Sequence, residues 1–188
     1  MSQLFPRVAP TQRGYDPKQV EEFFAHARAV YENGVTPGGQ DAADFGASDV
    51  RSAAFDLVRR GYHAASVDAA LDRLEAAFVA AERTDFIADR GQHAWMDAVV
   101  DRATSLYDRL KRPDGQRFAP PERGRGYDPE QVDALLDRLV AYFDDGTPIT
   151  AAEVRTASFA SAPRSRAYAE GPVDAYLDRV VDVLLAVE

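Results

Sequence analysis

The chain has no cysteine. That excludes a disulfide framework, a thiol nucleophile and a thiolate metal site, and it fits a reducing cytoplasm. Histidine is scarce: there are 3, His26, His63 and His93. No two have a metal-ligand spacing such as His-Glu-x-x-His, so they read as surface or boundary residues. Basic charge is in deficit, with 22 Lys and Arg against 31 Asp and Glu and a net charge of −9. Such a chain has no overall attraction for nucleic acid or an anionic membrane, although a local basic patch stays compatible with either. No apolar run reaches the roughly 18 residues of a membrane-spanning helix. The opening MSQLFPRVAP lacks the basic-then-apolar pattern of a secretory signal. No stretch alternates convincingly in the manner of a strand.

The signatures of chemistry are missing as well. Gly124-Arg125-Gly126 has no Gly-Lys-Ser/Thr after it, as a phosphate loop would. There is no Gly-x-Ser-x-Gly elbow. Acidic residues fall at helix starts and on solvent faces, where Asp72-Arg73, Asp137-Arg138 and Asp178-Arg179 look like solvated rims. No enzyme activity, cofactor, metal or small-molecule substrate is expected.

What the chain does contain is a repeated word. RGYDPKQV at residues 13–20 returns as RGYDPEQV at 125–132. A looser form, an aromatic followed by Val-acid-x-x-Leu, adds two windows: Tyr62 before SVDAALDRL and Tyr168 before PVDAYLDRV. The windows at Tyr62 and Tyr168 share an upstream stretch, SDVRSAAF and AEVRTASF. A Gly-Thr-Pro-like hinge also recurs, as GVTP from Gly34 and GTP from Gly146. The order is A-B-A-B, a duplicated pair. It divides the chain into 1–83, a connecting helix over 84–112, and 113–188.

Apolar residues follow each tyrosine at spacings of four, three and four. The sets are Val20, Phe24, Ala27 and Tyr31; Val67, Leu71, Leu74 and Phe78; Val132, Leu136, Leu139 and Phe143; Val173, Leu177, Val180 and Leu184. That spacing puts each set on one helical face and matches two heptads of a coiled-coil seam. Two heptads are too short for a free-standing coiled coil, so a compact bundle is expected. Trp95, Val99, Ala103, Leu106 and Leu110 predict a further helix ending before Pro113. Residues 36–48, rich in Gly and Pro, are expected to be a loop.

The repeated word reads as a helix starter. Asp16 and Asp128 are N-caps, and Pro17 and Pro129 sit at the first helical position. Gln19 and Gln131 stand three residues after the cap, at capping-box spacing. Tyr15 with Val20, and Tyr127 with Val132, have the spacing of a hydrophobic staple. Tyr62 and Tyr168 keep the tyrosine and the valine but lose the Asp-Pro pair, and Gly171 moves the expected start of the last helix to Pro172. Thr150 and Glu153 predict a short helix over 149–155, and 49–57 is expected to match it.

A Phe, a short loop, Arg-Gly-Tyr-Asp and Val-Asp-x-Phe/Leu-Leu together resemble the N-terminal domain of the DivIVA cell-division family. The stretch EVRTASF with VDAYLDRVVDVL is most similar to the family's repeated short form. The resemblance covers four windows, about two-thirds of the chain. With the helical stripes it implies an all-α helical bundle of four short helix-loop-helix DivIVA-like units in A-B-A-B order; the expected absence of a long coiled coil is a departure from the family. The resemblance implies a cytoplasmic scaffold, peripheral at the inner face of the membrane in some members, that recruits protein partners and self-associates. In membrane-binding members a Phe-Arg pair precedes Gly-Tyr and inserts into lipid. Here the matching pairs are Gln12-Arg13, Arg59-Arg60, Gly124-Arg125 and Ser165-Arg166: the arginine is kept and the aromatic is not. Four windows in one chain are expected to pair internally, replacing the family's dimer.

Arg13, Arg59, Arg60, Arg123, Arg125, Arg164 and Arg166 gather just before the tyrosines. Loop solubility and helix-end electrostatics are the ordinary account of them, but cations near a helix N-terminus are mildly unfavourable, which makes the clustering slightly harder to dismiss. They are the candidate contacts for acidic partner segments or, more weakly, for anionic lipid. The leading expectation is a non-catalytic interaction module. A peripheral membrane protein is the alternative, and a small helical enzyme or ligand binder ranks third.

Overall fold

The computed structural model describes residues 4–33 and 45–187. Most of the described residues are helical. The chain divides into two lobes, Met1–Asp85 and Phe86–Glu188.

The first lobe runs β1 (Arg13–Tyr15), α1 (Pro17–Asn33), α2 (Ala47–Arg51), β2 (Leu57–Arg59) and α3 (Ala64–Arg90), whose last turn passes the lobe boundary. The second opens with α4 (Gln92–Leu110) and continues β3 (Arg125–Tyr127), α5 (Pro129–Asp145), α6 (Ala151–Arg155), β4 (Ser161–Pro163), a 3-10 turn (Arg164–Arg166) and α7 (Glu170–Val187). After α4 the element order in the second lobe matches that of the first.

The helix starts form as their residues dictate. The Asp16 carboxylate accepts from the Lys18 N–H at 2.8 Å, and that of Asp128 accepts from Glu130 N–H at 3.0 Å. Thr150 and Glu153 make a reciprocal capping box at α6. The helices bury their predicted stripes. Val20, Ala27, Val67, Val132, Leu136, Leu139, Val173 and Val180 are fully buried. Tyr31 is the exception, half exposed at the end of its stripe.

The two cores differ in build. In the second lobe one continuous cluster takes residues from α4, α5, α6 and α7, including Leu106, Leu136, Val154 and Leu184. In the first, one small cluster centres on Val20, Tyr62 and Val67 and another on Ala27, Val30, Val50 and Phe78. Aromatic edges link the rings there, Phe23 meeting Phe24, Phe45 and Phe55.

Several expectations need correction. Each lobe contains a two-stranded antiparallel sheet that no alternation announces. Its strands are three residues long, too short for a period, and the central residue of β1 and β3 is Gly14 or Gly126. Gly is required there: a Cβ on Gly14 would collide with the Tyr62 carbonyl, and one on Gly126 with that of Tyr168. α7 starts at Glu170, with Gly171 inside its first turn. α2 starts before Asp49 and ends at Arg51, because Asp49 caps backwards onto the Gly46 N–H at 2.8 Å. Of the expected loop at 36–48, Ala47 and Ser48 are helical and Phe45 packs on Phe78; 36–44, with the Gly34 hinge, lies outside the described residues. The stretch 84–112 is not a detached connector. Its first residues end α3, and α4 puts Trp95, Val99, Leu106 and Leu110 into second-lobe clusters.

Candidate interaction surface

The four tyrosines come together in two pairs. Tyr15 and Tyr62 exchange both backbone hydrogen bonds, at 2.9 and 2.8 Å; Tyr127 and Tyr168 do the same at 3.0 Å. The acid that follows each valine then acquires a role. The Tyr62 hydroxyl donates to Glu21, and the Tyr168 hydroxyl to Asp133 at 2.9 Å. Asp68 lies close enough to Tyr15, and Asp174 to Tyr127, to raise the tyrosine pKa after burial has done so. Each tyrosine thus meets the carboxylate of the other window in its lobe. Burial, then the Asp133 bond, pushes Tyr168 up to about 12. Burial is also the leading cause of the raised Asp174. These are structural crosslinks: the hydroxyls face carboxylates that hold them protonated.

Gln19 and Gln131 do not complete capping boxes. Gln19 reaches across the lobe, donating to the Asp56 carboxylate and accepting from the Asp56 N–H, both at 2.8 Å. Gln131 accepts from the Ala160 N–H at 2.7 Å. The N-cap N–H that each was expected to reach is already spent, Asp16 donating to the Asp56 carbonyl at 2.8 Å and Asp128 to that of Ala160 at 2.9 Å. The glutamine therefore ties its helix to the segment that leads into the second strand.

The predicted arginines split by lobe. In the first, Arg13 and Arg59 stand directly opposite each other on the paired strands. Directly opposed like charges are destabilising. Among the described residues neither finds an ion pair or side-chain hydrogen bond, and the same holds for Arg60, which occupies left-handed backbone at φ 58. Leu57 shares β2 with Arg59 and is 54% exposed. Arg7, not picked out from the sequence, joins them: it donates to the Arg60 carbonyl at 2.9 Å and lies over the Tyr62 ring.

In the second lobe two of the four predicted arginines are tied down. Arg125 donates to Ser161 Oγ and to the Ser161 carbonyl, both at 2.8 Å. Arg164 donates to the Pro121 carbonyl at 3.1 Å. Arg123 and Arg166 stay exposed, and Arg166 lines a half-open cavity of about 650 Å³ with Phe118, Pro163 and Tyr168. The acids at that cavity are Asp128, committed to its cap, and Glu130.

A buried network was also missed. Arg117 donates to the Asp133 carbonyl at 2.9 Å and pairs with Asp137, while its N–H donates to the Tyr168 hydroxyl at 3.1 Å. Bonds to Asp137 and the other acids outweigh burial and leave its pKa raised. The only signal for it was the repeated Phe upstream of each RGY: Phe118 packs on Tyr168 as Phe5 packs on Tyr62.

The histidines stay apart. His26 packs on Phe45, His63 contacts Ser66, and His93 is exposed. Among the described residues no three His, Cys, Asp or Glu groups are placed to hold a metal. No described helix is long and apolar enough to cross a membrane. No protein-family model matches the chain, and no curated protein or solved structure matches it.

Proposed function

We propose that the chain is a non-catalytic protein-interaction module of DivIVA-like kind, a cytoplasmic scaffold piece serving cell division or polar envelope growth. The family part rests on the repeated RGYDPxQV words and the Val-acid windows. The interaction part rests on one observation: Arg13 and Arg59 crowd one exposed sheet, Arg60 follows directly, and none of the three has a carboxylate partner among the described residues. Folding alone would disperse such charges, whereas an acidic partner segment neutralises them. Proximity labelling in cells, comparing the native chain with a triple Arg13, Arg59 and Arg60→Ala variant, tests this. The reading expects partners lost with the arginines. An unchanged set of neighbours overturns it.

The same reading takes the chain as an A-B-A-B duplication whose windows pair internally where the family uses two chains. The tyrosine pairs within each lobe support it. Sedimentation should give a monomer or a weak self-associating species, and an elongated obligate dimer would refute it.

Leu57, exposed beside the arginines, favours a second reading as a peripheral membrane protein. Each arginine near an anionic surface contributes about 1 kcal/mol, and one aliphatic residue is a shallow anchor. Flotation with anionic vesicles at low and raised salt distinguishes the two.

A further inference from the structure

The two sheets differ at their outer edges, and the difference goes beyond charge. Hydrogen bonds from Asp16 N–H to the Asp56 carbonyl and from Arg60 N–H to the Gln12 carbonyl set the parity of the first ladder. Gly14 and Val58, midway between them, are the inward-bonding pair. Leu57 and Arg59 therefore turn their backbone N–H and C=O groups outward, away from β1. Among the described residues nothing bonds to those groups. β2 is an open edge.

The second lobe blocks two of the four outward groups on the same edge. Asp128 N–H to the Ala160 carbonyl sets the same parity, so Ser161 and Pro163 face outward. Pro163 has no N–H to offer. The Ser161 carbonyl is taken by the Arg125 guanidinium. The residue opposite Arg125 is Pro163, whereas the residue opposite Arg13 is Arg59.

We propose that β2 accepts an extended acidic segment of a partner protein as an added antiparallel or parallel strand. The open N–H and C=O groups of Leu57 and Arg59 supply the main-chain bonds. Arg13 and Arg59, on one face of the sheet, supply the charge complementarity, because side chains two apart on a strand share a face and directly paired residues do too. Leu57 on that face takes an apolar side chain two positions along. An arginine at a strand edge also guards against unwanted pairing. Guarding does not account for placing two arginines opposite each other without a partner, at a cost to the fold. Bare lipid headgroups satisfy the charges but not the strand groups, which is why a peptide is favoured over a membrane.

The proposal rests on the arginine-docking reading, and its test separates the two. The probe is a fluorescein-labelled peptide of about seven residues in which glutamates, with one valine two positions from the nearest of them, alternate with threonine, measured by anisotropy on the full chain. A control peptide keeps the glutamate side chains but has proline at the alternate positions and N-methylated glutamate nitrogens, so it cannot donate strand bonds in either orientation. The native chain should bind the first peptide at least tenfold more tightly than the second, with affinity falling as salt rises. Arg59→Pro copies the residue of the second lobe at an outward-facing position, and circular dichroism checks its fold. It should weaken the first peptide at least tenfold, as should Arg13→Ala. If the proline peptide binds equally well and Arg13→Ala still abolishes binding, the strand edge is wrong and arginine docking stands. If neither peptide binds, or Arg13→Ala changes nothing, both fail. Binding of anionic vesicles without binding of either peptide overturns the proposal in favour of the membrane reading.

Discussion

The two lobes use the same helix starters and tyrosine crosslinks, yet solve the interior in different ways. At the position where α3 of the first lobe buries Glu75, the matching position of α7 holds Val181, also buried. Glu75 is 1% exposed and pairs with Arg51 at 2.6 Å. Arg155 is the counterpart of Arg51, at the end of the matching short helix. The second lobe thus runs its apolar cluster through a place where the first puts an ion pair. It places its own buried charge, Arg117 with Asp133, beside the tyrosine instead. The lesson is that the repeated words specify the joints of each lobe, not the composition of its core.

The largest test removes the ion pair. Glu75→Val installs the second lobe's residue but takes a buried carboxylate from Arg51. Breaking one side of a buried pair costs about 3–5 kcal/mol. Chemical denaturation should show that loss, and hydrogen exchange should place it in residues 4–85 alone. Adding Arg51→Met to Glu75→Val should recover most of it, since an apolar pair of similar volume is often neutral. A double variant as damaged as the single one would mean that Arg51 has a structural task beyond Glu75.

Next comes the tyrosine crosslink. Tyr168→Phe leaves Asp133 and the Arg117 N–H without the hydroxyl that joins them. An unsatisfied buried group costs about 1–3 kcal/mol. The same tyrosine sets an alkaline limit. Its folded pKa, about 12, lies above the unfolded value of 10.0, so the folded state holds the proton more tightly. Its contribution is complete below the unfolded value and is lost as pH rises from there through the folded one. Tyr176, pushed by burial to about 12, adds to the same window. Native stability should fall above pH 10, and Tyr168→Phe should flatten that fall. An equally steep decline in the variant would assign it elsewhere.

Much of this could be read from the chain and some could not, for definite reasons. Asp128-Pro129, Thr150 with Glu153 and the four-three-four stripes are local signals: cap and recipient lie within three residues, and a stripe is defined by its own helix. Gln19 misled because its true partner, Asp56, is 37 residues away, while its spacing imitates a capping box. The strands stayed hidden because Arg-Gly-Tyr offers no alternation, and because what makes Gly14 necessary is the carbonyl of Tyr62. The arginines were found as a set, but nothing in their spacing tells Arg125, bonded to Ser161, from Arg13, which faces another arginine. That distinction depends on the partner strands, where the first lobe has Leu57 and Arg59 and the second Ser161 and Pro163.

Capping of the short helices gives smaller effects. Thr150→Ala removes the side-chain acceptor from the Glu153 N–H and the hydroxyl's bond to the Glu153 carboxylate, which keeps the residue-150 N–H and Arg138. Loss of a Thr cap costs about 1 kcal/mol. A shift in denaturation midpoint of that size, with unchanged slope, is expected in the second lobe. No shift at all would mean that Glu153, held by Arg138 at 2.7 Å, suffices by itself.

The reciprocal change should be the smallest and of opposite sign. The first lobe caps its short helix with Gly46, in extended backbone at φ −149, where any residue fits. A Cβ there meets nothing within 4 Å. Gly46→Thr supplies the hydroxyl that Thr150 supplies in the second lobe, opposite an Asp49 already bonded to the residue's N–H. Thr ranks close to Gly as a cap, so the gain at the cap is a few tenths of a kcal/mol. Lower unfolded-state freedom adds a comparable amount. Precise denaturant melts of the full chain should show a small increase in midpoint. A decrease would mean that the two short helices are not capped alike, and that Asp49 needs the room Gly46 leaves it.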